Sequence, residues 1–96
     1  MSTTTDHRKA AGEKIVALAA ILEAQPETPE RNALVRECKA LVVAIDAFHM
    51  EGIRFRMFNV DRILTRGTLE IPADAASVFA DARTHLEAAG FHTRSH

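Results

Sequence analysis

Leu34, Cys38, Leu41, Ile45 and Phe48 recur at alternating spacings of four and three. That spacing puts all five on one stripe of an α-helix, which must bury itself against a nearly antiparallel neighbour. Within the same stretch, the run from Ala40 to Met50 contains only two polar side chains, Asp46 and His49. A helix apolar around most of its circumference is normally enclosed on several sides, and an acid or imidazole placed there needs a partner to offset desolvation. The spacing therefore predicts that Asp46 and His49 form a buried polar pair that fixes helix register.

The flanking segments also read as helices. A first helix is expected after the Ser2–Thr5 cluster, whose hydroxyls offer caps, and runs to about Ala24 with Ala11, Ile15, Leu18 and Leu22 on one stripe. Thr28 then serves as N-cap, Pro29 as first helical residue and Glu30 as a favourable charge at the dipole's positive end. A last helix is read from Pro72 and Asp74 at its start, the stripe Ala75, Phe79, Ala82, Leu86 and Ala89, and a Schellman-type end at Gly90-Phe91.

Between these lies the main topological choice. Beyond Gly52 the apolar positions Ile53, Met57, Val60 and Leu64 keep helical spacing on a rotated stripe, with Gly67 placed as a stop. A continuous or kinked helix from Glu30 to Arg66 would be about 55 Å long at roughly 1.5 Å per residue, and half of it would need a second chain. This reading is preferred because a lone glycine costs a helix only about 1 kcal/mol. A turn near Gly52 would instead give four helices of comparable length. A minor α+β alternative takes Ile53–Met57 and Thr68–Ile71 as a hairpin within 53–71, since both segments alternate apolar and polar residues. The expected fold is an all-α antiparallel bundle of three or four helices. Residues 6–91 form one domain, preceded by a flexible segment 1–5. A tail, 92–96, follows, whose Arg-Ser-His ending reads as the start of a vector-derived histidine tag.

Composition narrows the function. A formal charge of −1 in 96 residues argues against a generally basic nucleic-acid or membrane-surface binder. No apolar run is long enough to span a bilayer. The single cysteine, Cys38, cannot form an intrachain disulfide and reads as a core residue, so a cytoplasmic setting is expected. Charge is unevenly spread: Arg54, Arg56, Arg62 and Arg66 face only Glu51 and Asp61 in their segment, while Glu70, Asp74, Asp81 and Glu87 dominate the C-terminal one. The two stretches are expected to pair, within a chain or between chains.

Three candidate sites follow. Phe55, Met57 and Phe58 are spread around more than half a helical circumference. Together with Ile53, Arg54 and Arg62 they form a candidate homodimer or partner interface, apolar and rimmed by arginine. A metal-binding alternative uses Asp46 and His49, with Asp81 and His85 as a second carboxylate–imidazole pair for a transition metal ion. A further alternative makes His49 a phosphoryl acceptor on a bundle helix beside Gly52, although Met50 and Glu51 stand where such helices carry base. The reading reached from sequence is a small non-enzymatic regulatory, adaptor or assembly protein, without a cofactor. It acts as a homodimer and on an unidentified second protein, with no membrane partner and nucleic acid disfavoured.

Overall fold

The helices begin and end where local capping chemistry dictates. A computed structural model describes residues 6–67 and 69–91, and these contain α1 (His7–Glu23), α2 (Pro29–Asp46), α3 (Met50–Arg66) and α4 (Ala73–Ala88). The expected terminal segments 1–5 and 92–96 lie outside the described residues. The N-cap of α1 is Asp6, not one of the upstream hydroxyls, and its carboxylate accepts the Lys9 amide at 3.0 Å. Thr28 caps α2 as the sequence predicts, its hydroxyl accepting the Arg31 amide at 3.0 Å with Pro29 at the first position. At the end of α4, Gly90 adopts φ 96°, the Phe91 amide donates to Leu86 O and the Gly90 amide to Glu87 O, both at 3.0 Å. This is the Schellman pattern expected of Gly90-Phe91.

The expected continuous central helix is not formed, and the break falls before Gly52. Helix α2 ends at Asp46, and a three-residue corner, Ala47-Phe48-His49, leads into α3. Phe48 takes φ 57°, its amide donates to Ile45 O at 3.2 Å, and the His49 amide donates to Ala44 O at 3.0 Å. The corner is thus a second Schellman motif, with phenylalanine at the left-handed position that glycine usually fills. That backbone costs an L-residue about 1–2 kcal/mol. Compensation comes from Arg8, whose guanidinium lies 3.9 Å over the Phe48 ring and donates to Ile45 O at 2.9 Å. The Phe91 ring also meets Phe48, with centroids 6.1 Å apart.

One pair of variants reads this corner directly. Phe48→Gly is expected to be more stable than Phe48→Ala by about 1 kcal/mol in urea denaturation, because both lose the ring and only glycine is free of the left-handed penalty. In a continuous helix the order would reverse by about the same amount. Alanine ranking above glycine would therefore contradict the corner.

Helix α1 packs on both α2 and α4, and α2 packs on α3, giving the lateral order α4, α1, α2, α3. The molecule measures 45 × 29 × 20 Å, and its shortest dimension accommodates about two helix diameters of 10–12 Å. Ala11, Ala75 and Ala82 are wholly buried. These small side chains in the core let the backbones of α1 and α4 approach closely. Helices α1 and α2 run antiparallel and cap one another. Arg8, in the first turn of α1, reaches the last carbonyls of α2, while Arg31, in the first turn of α2, donates to Leu22 O at 3.1 Å and Glu23 O at 2.7 Å at the end of α1. Each arginine meets carbonyls that have no partner within their own helix, at the negative end of its dipole.

No strand is present among the described residues, and Ile53–Met57 is helical, so the hairpin alternative at 53–71 is excluded. The 3.6-residue pattern from Ile53 to Leu64 buries one continuous stripe, which a two-residue alternation over the same segment would split between two faces.

Candidate interaction surface

Helix α3 separates the expected interface residues into two groups. Ile53, Met57 and Val60 are fully buried against the rest of the bundle, so Ile53 and Met57 belong to the core and not to a contact surface. The physical reason is their spacing of four and three, which lines them up on the side facing α2 and the core. Phe55 and Phe58 project from the opposite side and remain 57% and 42% exposed, flanked by exposed Arg54 and Arg62. Glu51, Phe55, Phe58 and Arg62 follow spacings of four, three and four, so they form one outward stripe along α3. Neither Glu51 nor Arg62 enters an ion pair among the described residues.

The orientation of this stripe is set from α2. Arg56 Nη1 donates to both carboxylate oxygens of Glu37, at 2.9 and 2.6 Å, and Asn59 Nδ2 donates to Glu37 Oε1 at 2.8 Å. The Glu37 side chain is only 17% exposed, so this charge-assisted network is partly shielded from water and fixes α3 in rotation as well as position. The Arg56 guanidinium also lies 5.2 Å from the Phe55 ring centroid, which steadies that ring while leaving its outer face open.

On its other side α3 faces α4 across a groove of about 500 Å³ lined by residues including Leu64, Ile71, Phe79 and Ala80. The ion pair that spans it is Asp61–Arg83 at 3.6 Å. The basic and acidic stretches thus meet with the signs exchanged: α3 supplies the acid and α4 the arginine. Arg56, expected to face the C-terminal acids, is bound by Glu37 of α2 instead.

The predicted buried polar pair is not buried. Asp46 and His49 are both exposed, because the chain leaves the helix between them: Asp46 is the last residue of α2 and His49 precedes the first residue of α3. The His49 ring lies over Gly52 where a Cβ would otherwise sit, so the glycine gives close access to the imidazole of this chain. The corner position also removes the premise of the phosphoryl-acceptor alternative, which placed His49 on a bundle helix.

The proposed metal set is likewise dispersed. Asp81 pairs with Lys14 at 3.6 Å, and His85 Nδ1 lies 2.9 Å from His7 Nδ1, in a hydrogen bond joining α4 to the start of α1. No group of three or more His, Cys, Asp or Glu side chains is arranged to hold a metal ion among the described residues. The contact between His7 and His85 joins positions 78 apart in sequence and has no local signal in the chain. Burial, reinforced by the neighbouring Glu37 carboxylate, pushes the Cys38 thiol up to about 12. It is therefore protonated at neutral pH and packs as a small apolar side chain.

No protein family, curated protein or solved structure matches this chain. Among the described residues no helix is long and apolar enough to cross a membrane.

Proposed function

We propose that this is a small non-enzymatic regulatory, adaptor or assembly protein that works through protein–protein contact, as a homodimer, with the outer face of α3 as the contact. The observation that carries this reading is the exposure of Phe55 and Phe58 on the side of α3 turned away from its own core. Two adjacent aromatic rings on a rigid helix, bordered by Arg54 and Arg62, have the composition of an interface centre and rim. Their exposure costs solvation free energy in the isolated chain, which association recovers. A cytoplasmic setting fits the single, buried, unpaired Cys38.

The test is a comparison of mass between the natural protein and a Phe55→Asp/Phe58→Asp variant at equal micromolar concentration. The natural protein is expected to be a dimer and the variant a monomer of about 10.6 kDa with unchanged helical circular dichroism, since neither ring is part of the buried core. A variant that keeps the dimer mass would move the contact away from α3.

A further inference from the structure

The outward stripe of α3 is complementary to itself when read backwards. Along the helix it runs Glu51, Phe55, Phe58, Arg62, acid at the start, two rings in the middle and base at the end, with the spacing between its members symmetric about the midpoint. We propose that two copies of this chain associate by laying α3 antiparallel on α3 about a two-fold axis level with Arg56 and Met57. Glu51 of each copy then meets Arg62 of the other, and Phe55 meets Phe58. This deepens the self-association reading and rests on it.

Three observations commit the surface to a second copy. The first is charge: an antiparallel pair closes two identical Glu51–Arg62 bridges, whereas a parallel pair would set Glu51 against Glu51 and Arg62 against Arg62, which costs affinity. The second is availability, because Glu51 and Arg62 have no ion-pair partner among the described residues while other charges on α3, Arg56 and Asp61, are engaged with Glu37 and Arg83. The third is spacing. Intervals of four, three and four are those of a helix seam that packs along another helix at a shallow angle. A two-fold contact of this kind is isologous, so one stripe supplies both sides and no second surface is required.

Charge reversal tests the register. Glu51→Arg and Arg62→Glu are made separately, and the association of each is measured by sedimentation equilibrium at low salt, alone and as an equimolar mixture. Each variant alone is expected to associate about tenfold more weakly than the natural protein, or worse, because both bridges become like-charge contacts. The mixture is expected to recover dimer. In it the arginine introduced at position 51 of one variant meets the glutamate introduced at position 62 of the other, and the unaltered Arg62 of the first meets the unaltered Glu51 of the second. Recovery in the mixture also shows that both variants are folded. If the natural protein is monomeric, self-association and this register fall together. If it is dimeric but the single variants associate as well as the natural protein, or the mixture shows no gain, the dimer stands and the antiparallel α3 register is overturned.

Discussion

Met57→Ala is expected to lower the stability of the folded chain by about 2–5 kcal/mol, the range for truncating a large buried apolar side chain to alanine. Met57 is wholly buried and shares the core with Ile53 and Val60 of α3 and with Leu41 and Ile45 of α2. Removing its thioether chain leaves a void between helices that the surrounding side chains fill only in part. Its neighbour in sequence gives the contrasting result. Phe55 is 57% exposed, so Phe55→Ala is expected to change the stability of the monomer by about 0.5 kcal/mol or less, while weakening self-association. Urea denaturation at submicromolar protein, where copies are apart, separates the two. Equal losses from both substitutions would mean that α3 does not divide into a core face and an outer face.

Arg31→Ala is expected to cost about 2 kcal/mol, since hydrogen bonds from a charged donor are worth roughly 1.5–3 kcal/mol and, of the two to helix-terminal carbonyls, the one to Leu22 O is part-buried and the one to Glu23 O is exposed. The side chain closes the end of α1 through Leu22 O and Glu23 O and also donates to Asn32 Oδ1 at 2.7 Å. In a domain of this size the loss corresponds to a fall in melting temperature of about 8–16 °C. Arg31→Lys is expected to recover only part of it, because an ammonium group lacks the planar fork that spans two carbonyls at once. A melting temperature unchanged in Arg31→Ala would show that water satisfies these carbonyls equally well.

Features governed by local chemistry were legible from sequence. Thr28-Pro29 and Gly90-Phe91 mark their helix ends because the capping hydroxyl, the ring-locked φ and the left-handed glycine act within a few residues. The core stripes were legible for a similar reason, since three- and four-residue spacing selects one helix face, but not at their ends: Phe48 of the second stripe is 62% exposed because the helix stops at Asp46, and Ala89 of the last stripe is exposed. The corner at Ala47–His49 was not, because its left-handed residue is a phenylalanine and its compensation comes from Arg8, far upstream in the first helix. Reading a continuous helix through that corner, with a turn near Gly52 only as the alternative, changed the candidate site. With α2 ending at Asp46, the polar pair moved from an enclosed helix to an exposed turn. The candidate interface was half legible: three large apolar residues within four positions could not all face one core, but which of them stayed outside depended on α2 lying along the Ile53–Met57 side.

The most direct measurement is the solution mass of the chain across a concentration series, by light scattering coupled to size-exclusion chromatography in moderate salt. The mass is expected to rise with micromolar concentration toward about 21 kDa, twice the chain mass of 10.6 kDa, as befits a single helix-to-helix contact smaller than a standard protein interface. A mass that stays at 10.6 kDa throughout, with Phe55 and Phe58 in place, would contradict self-association through α3.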